Sequence, residues 1–140
     1  MEIKIFDKLP VYAVDIRMEV FVKEQGFSKD LELDENEGKA THLVGFINGN
    51  MAATSRFFFD ENRNAFLISR IAVKKEYRGK GLGAEIVKAA EKEIIRLGGK
   101  RTVIHAQLRV KEFYETLGYT AYGDIDLEEG VEHIMMEKNL

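Results

Sequence analysis

The stretch from Leu67 to Ala106 constrains this chain more than any other. An apolar run, Leu67 to Val73, leads into the basic glycine-rich turn Arg78-Gly79-Lys80-Gly81-Leu82-Gly83. Leu82, Ile86, Val87, Ala90, Ile94 and Leu97 then recur at helical spacing, with Glu85, Lys88, Glu91, Lys92, Glu93 and Arg96 mainly outward. Gly98-Gly99 can end that helix, and Thr102 to Ala106 reads as a short strand. A helix joining two strands implies a parallel pair with a right-handed crossover, and so an α/β arrangement.

The turn also carries chemistry. A strand that ends in a glycine-rich turn opening a helix offers a row of unpaired backbone N–H groups, and such groups bind phosphate. Spacing separates three kinds of phosphate turn. A nucleotide-hydrolysing loop needs Gly-Lys followed by Ser or Thr to hold magnesium, whereas Gly81 follows Lys80. The dinucleotide fingerprint wants its third glycine three positions after the second, whereas Gly79, Gly81 and Gly83 alternate. Arg-x-x-Gly-x-Gly remains, and Arg78, Gly81 and Gly83 fit it. A solvated Gly/Lys turn would look the same in isolation, so the rest of the chain has to decide.

At 140 residues and 45% apolar content, the chain reads as one domain, 1–140, large enough for a continuous core. It has no cysteine, which removes thiol nucleophiles, thiolate metal sites and disulfides. Met1 to Phe6 lacks a signal-peptide run and nowhere do 18 apolar residues follow one another, so the expectation is a soluble, cytoplasmic protein with no membrane contact. A net charge of −3 argues against general nucleic-acid affinity, although Lys74, Lys75, Arg78 and Lys80 form a local basic cluster suited to one bound polyanion. No metal site is expected. Asp30, Glu32 and Asp34 alternate like ligands, but Glu35 stands where a calcium loop needs its turning glycine.

Along the chain, Glu2 to Phe6 reads as a strand and Leu9 to Lys23 as a helix that Asp7 can cap. Gly26 and the acidic stretch from Asp30 to Gly38 then form a loop or short irregular helix facing a substrate. His42 to Ile47 and Met51 to Phe59 flank Asn48-Gly49, the signature of a two-residue hairpin turn. Ala65 to Val73 adds a third antiparallel strand. After Thr102 to Ala106, a short helix spans Leu108 to Leu117, and strands Tyr119 to Ile125 and Val131 to Glu137 flank an acidic turn, Asp126 to Gly130.

This order, with the Arg78–Gly83 loop, resembles the GNAT acyltransferases, which bind acetyl-coenzyme A. Ile71-Ala72-Val73 stands where that superfamily pairs a strand with the pantetheine arm. Phe113-Tyr114-Glu115-Thr116-Leu117-Gly118-Tyr119 resembles its “FYxxLGF” segment, with Tyr119 in place of the common Phe, and Gln107 stands where many relatives carry Asn. Arg17, Val20-Phe21-Val22, Glu24-Gln25, Glu32, Asp34 and Ala40-x-His42-Leu43 are similar to the ElaA-like branch, as are Ala106-Gln107 and Gly130-Val131-x-His133-Ile134-x-Met136. The resemblance implies an α/β (α+β) fold: a mixed central sheet of about six to seven strands flanked by helices.

It also implies N-acetyl transfer to a primary amine of a small molecule or peptide by direct attack in a ternary complex. The cofactor is expected on the amides of Arg78, Gly79, Lys80, Gly81, Leu82 and Gly83, along Ile71, Ala72 and Val73 with one N–H facing the thioester carbonyl, and at Gln107 and Tyr114. A bulge in the strand would expose those donors. Tyr114 is the choice for the acid that reprotonates the departing thiolate, since a phenol of pKa about 10 is protonated at neutral pH. An unperturbed amine of pKa about 10.4 is neutral only about once in 2,500 molecules at pH 7, so a base or a desolvating pocket must help. Glu32, Asp34, Glu24 and His133 are candidates, and spacing singles out none. Glu24, Asp34 and Arg70 are assigned to the acceptor, whose expected charge is positive because the loop is acidic. The bland alternatives are a solvated acidic loop, an Arg70 paired with a carboxylate, core packing for Tyr114, and hydrogen-bonded sheet histidines at positions 42, 105 and 133. An acyl-coenzyme A sensor without turnover is the competing function, and an exposed edge or apolar face could support a homodimer.

Overall fold

The computed structural model describes residues 1–29 and 33–140. Among them, seven strands make one mixed sheet: β1 Glu2–Phe6, β2 Thr41–Ile47, β3 Asn50–Asp60, β4 Ala65–Val73, β5 Arg101–Gln107, β6 Thr120–Glu128 and β7 Val131–Asn139, in the order β1-β2-β3-β4-β5-β7-β6. The β2–β3 turn uses Asn48 at φ 49° and Gly49 at φ 81°, the two left-handed residues that this hairpin requires.

Helix α1, Val11–Arg17, continues without a break as the π-helical segment Met18–Glu24. Its N-cap is Pro10, in extended conformation and with no side-chain cap, so the expected start at Leu9 and cap at Asp7 are both corrected. Proline closes off any earlier helical turn by disfavouring α geometry in the residue before it. Ala13, Ile16 and Val20 pack on Val44 and Ala72, on one face of the sheet. Helix α2, Leu82–Arg96, covers the other face: Ile86, Val87, Ala90 and Ile94 join Leu43, Phe57, Ile68 and Ile104 in the larger core, each of these side chains larger than alanine contributing roughly 1.5–3 kcal/mol. Leu97, read as part of that stripe, is half exposed at the helix C-cap.

The Leu108–Leu117 segment divides into a 3₁₀ turn, Leu108–Val110, and helix α3, Lys111–Thr116. Strand β6 runs on through the supposed acidic turn: Asp126 pairs with His133 and Glu128 with Val131, leaving Glu129-Gly130 as the two-residue turn. The acidic side chains misled because an edge strand can carry them in solvent without breaking its ladder.

The feature that positions a site is the β4–β5 pair. It is parallel, as expected, but only Phe66 with Thr102 and Leu67 with Val103 are in register. Beyond Leu67 the two strands part, so the C-terminal half of β4 has its ladder only on the β3 side. The sheet opens between its central strands.

Candidate active site

That opening is a cleft of about 860 Å³, lined by β4, β5, the start of α2 and Tyr114. The expected bulge lies one residue before Ile71: Thr54 pairs with Ala72 and Arg56 with Ser69, so Arg70 and Ile71 together oppose Ser55. Arg70 takes φ 51°, a left-handed conformation that costs a non-glycine residue about 1–2 kcal/mol. Its guanidinium meets Asp34 at 3.3 Å. The bulge turns β4 so that Ile68 faces the core under α2 while Ala72 faces α1.

At one mouth of the cleft, Gly79 and Gly81 have φ 79° and 78°, and Gly81 is the N-cap of α2. The first intrahelical bond runs from the Glu85 amide to the Gly81 carbonyl, so the amides of Leu82, Gly83 and Ala84 precede the helical ladder. A Cβ at Gly83 would stand 3.2 Å from Cζ of Phe113, so glycine permits the close approach of α2 to α3. An uncapped helix start with left-handed glycines fits a pyrophosphate. Arg78 reaches elsewhere. Its Nε donates to the Val73 carbonyl at 2.9 Å, and Nη1 and Nη2 grip both oxygens of Glu24 at 2.9 and 2.8 Å. The Arg78 hydrogen bonds hold the Glu24 carboxyl below its ordinary range. Lys80 is exposed, its ammonium 5.8 Å from the Tyr77 ring centre, and neither it nor Glu24 lines the cleft.

The pleat sorts the β5 side chains. Ile104 and Ala106 join Tyr114 in the core under α2, whereas His105 and Gln107 alternate to the other face. Gln107 spans the opening, donating to Oε1 of Gln25 at 2.8 Å and accepting from Nε of Arg109 at 2.9 Å. His133, opposite Gln107 in the β5–β7 ladder, is 4% exposed and also lines the cleft. Its Nδ1 donates to the Val131 carbonyl at 2.8 Å, and its Nε2 lies 3.4 Å from Oε2 of Glu128.

The opposite wall holds a charge network that sequence spacing did not reveal. Arg56, 2% exposed, donates Nη1 and Nη2 to the two oxygens of Asp34, both at 2.7 Å, and Nε to Ser69 at 2.9 Å. Burial pushes the Asp34 carboxyl up, but the hydrogen bonds and charge of Arg56 outweigh it and hold the group at about 2. Glu37 bonds buried Arg17 through both oxygens and also contacts Arg56. Glu32 lies outside the described residues. The signal that could have found Arg56 was present: a lone arginine inside the apolar run Met51 to Phe59 must bring a partner with it when buried.

Two tyrosines end near one another. Tyr119 donates its hydroxyl to Glu91 at 2.7 Å and lies 2.9 Å from the Thr102 hydroxyl. Tyr114 packs edge-on against Phe113 and Tyr119, lines the cleft, and has a hydroxyl with no hydrogen-bond partner among the described residues. Burial pushes its phenol up from its ordinary value, which keeps the proton on the oxygen at neutral pH.

A mixed sheet split between two central parallel strands, with a glycine-rich helix start at the split, is the acyl-coenzyme A N-acyltransferase fold. The chain belongs to the GNAT acetyltransferase family, whose acetyltransferase (GNAT) domain matches residues 11–140 and whose acyl donor is acetyl-coenzyme A. An uncharacterised N-acetyltransferase of Bacillus subtilis, YjcF, is 31% identical over 89% of this chain and 88% of its own length. The crystal structure of a candidate N-acetyltransferase from Lactobacillus plantarum superposes with a TM-score of 0.90 at 28% identity, covering 99% of this chain and 97% of that one. Escherichia coli ElaA shares the fold with a TM-score of 0.84 at 24% identity, over 98% of each chain.

Proposed function

We propose that the chain transfers an acetyl group from acetyl-coenzyme A to the primary amine of a small molecule or peptide, by direct attack while both are bound. The observation that carries this reading is the split sheet, which gives one continuous cleft two differently equipped mouths: a glycine-rich helix start on one side, and His133, Gln107 and the Asp34–Arg56 pair on the other.

Acetyl-coenzyme A supplies an activated acetyl group. The amides of Leu82, Gly83 and Ala84, with Gly79 and Gly81 leaving room, would hold its pyrophosphate, each favourable interaction at the helix terminus contributing roughly 0.3–1 kcal/mol. The bulged edge of β4 from Ile71 to Val73 would bond the pantetheine arm and present an N–H to the carbonyl. Arg78 would act chiefly by holding the turn, through Val73 and Glu24. Tyr114 keeps a proton at its hydroxyl and would deliver it to the departing sulfur.

For the base, the carboxylates of Glu24 and Asp34 are poorly suited, since paired arginines depress their proton affinity. His133 is better placed. With Nδ1–H fixed on the Val131 carbonyl, the neutral ring carries its lone pair on Nε2 and would take the acceptor's proton there, directly or through water. Asp34 and Glu37, both answered by arginines, give the described part of the acceptor side little net negative charge. A strongly cationic acceptor is therefore not required.

The test is incubation with acetyl-coenzyme A and a library of amines, following free thiol and acetylated products by mass spectrometry. Acetylated amine with equimolar thiol release is the expected result. Tight cofactor binding without product across a broad library would replace this reading with that of an acyl-coenzyme A sensor.

A further inference from the structure

His133 does not stand alone in the cleft. Its ring lies against that of His105, with centroids 4.7 Å apart and planes inclined by 32°. The two residues sit diagonally on β5 and β7, because Gln107 is the direct partner of His133 and His105 is two residues away on the same face. His105 is itself fixed. Its Nε2 bonds Oδ1 of Asp126 at 2.8 Å, and that bond holds the Asp126 carboxyl below its usual range. Asp126 reaches this spot because β6 shifts register between Tyr122 and Asp126 and then pairs Asp126 with His133.

We infer that His105 and Asp126 are positioning residues for His133: the carboxylate anchors the His105 ring, and the ring face fixes the imidazole of His133 so that its Nε2 receives the acceptor's proton. This deepens the proposed function and rests on His133 being its base. The geometry supports each part. An imidazole bonded only through Nδ1 can still turn about its Cβ–Cγ bond; a half-turn puts Cδ2 where Nδ1 meets the Val131 carbonyl, and with that hydrogen bond lost nothing fixes the tautomer. A ring stacked on one face removes that freedom by contact, and a carboxylate on the stacking partner keeps the partner from turning with it. Two histidines in this arrangement have a division of labour that a pair of ordinary sheet residues does not need.

The proton transfer balances with groups that the structure supplies. The N–H bond of the acceptor ammonium breaks as a bond from that proton to Nε2 of His133 forms. The imidazolium then has a donor on each nitrogen, Nδ1–H toward Val131 and Nε2–H toward Glu128. Glu128 is half exposed, so water can carry the proton away from there.

The test reads the His133 tautomer rather than turnover alone. In full-length protein labelled with ¹⁵N-histidine, long-range ¹H–¹⁵N correlations under alkaline conditions report which ring nitrogen is protonated. The wild type is expected to show His133 as a single Nδ1–H form. His105→Ala should give averaged ¹⁵N shifts from mixed tautomers, and His105→Phe, which restores a flat ring, should return most of the single form. With any amine that the library identifies, His105→Ala should lower kcat about tenfold with KM for acetyl-coenzyme A unchanged, and His105→Phe should recover most of it. An unchanged His133 tautomer in His105→Ala overturns the positioning role and leaves the base untouched. Wild-type turnover in His133→Gln removes the base, and the inference with it.

Discussion

At the scale of single residues, the two buried tyrosines have opposite obligations. The Tyr119 hydroxyl is spent on Glu91 and Thr102, and Lys138 completes that network from 3.1 Å. Tyr114 spends its hydroxyl on nothing among the described residues and turns it to the cleft. The two Tyr→Phe changes should therefore separate cleanly. Tyr114→Phe is expected to lower kcat by about 10²-fold, the lower end of what a general acid contributes, with KM for acetyl-coenzyme A and the urea midpoint nearly unchanged. Tyr119→Phe leaves Glu91 short of a donor in a buried setting, which should cost about 1–3 kcal/mol of stability and leave kcat alone. Steady-state kinetics and urea melts on both variants check the pair, and undiminished turnover in Tyr114→Phe under chemistry-limited conditions would end its assignment. The replacement of the motif's usual Phe by Tyr119 then has a reason: the hydroxyl fills a place that Glu91, Thr102 and Lys138 prepare for it.

At the scale of elements, the turn before α2 combines conformation with function. Gly81 holds φ 78° at the helix N-cap, and nothing lies within 4 Å of where its Cβ would stand, so a substitution there is opposed by backbone conformation and not by crowding. Gly81→Ala should cost about 1–2 kcal/mol of folding stability from the left-handed residue alone. It should also weaken coenzyme A binding, by roughly tenfold, as the turn relaxes and its amides lose their common aim; calorimetric titration with coenzyme A reads this directly. Unaltered affinity would place the phosphates somewhere other than this helix start. The turn, the Asn48-Gly49 hairpin and the α2 stripe were legible in the sequence because each is decided within a few neighbouring residues. The pairings that complete the site were not, since they join residues far apart: Asp34 to Arg56 across 22 positions, Glu24 to Arg78 across 54, His105 to Asp126 across 21. Register decides such contacts, and register follows from the whole sheet. Among the described residues of the loop counted as acidic, Asp34 and Glu37 are each answered by an arginine from another element, which no count of charges along the chain can show.

At the scale of the whole molecule, one buried histidine links the pieces that acid would separate. His42 on β2 is completely buried; its Nε2 donates to the Glu37 carbonyl at 3.2 Å while its Nδ1 has no partner among the described residues. Glu37 in turn holds Arg17 of α1 and touches Arg56 of β3, so helix, loop and sheet meet at this point. Burial lowers the His42 pKa from its ordinary value, and the nearby arginines add to that, although Glu37 opposes them. Below about pH 6.5 the unfolded chain then binds a proton at this position that the folded chain does not, so stability is full above that value and falls as the pH drops below it, by at most about 1.4 kcal/mol per pH unit. Asp34 and Glu37 act in the same direction at lower pH. Their folded pKa values are depressed, so their contribution is present above about pH 4 and is lost as the pH falls toward about 2 for Asp34. Acid loss should come in two stages, and the first belongs to His42. His42→Gln keeps an N–H for the Glu37 carbonyl and cannot titrate, so urea midpoints measured at pH 7.5, 6.5 and 5.5 should fall less steeply for the variant than for the wild type. Parallel pH dependences for the two proteins would mean that His42 takes up its proton without disturbing the fold, and that the junction of α1, β2 and β3 tolerates a charge where burial argues that it should not.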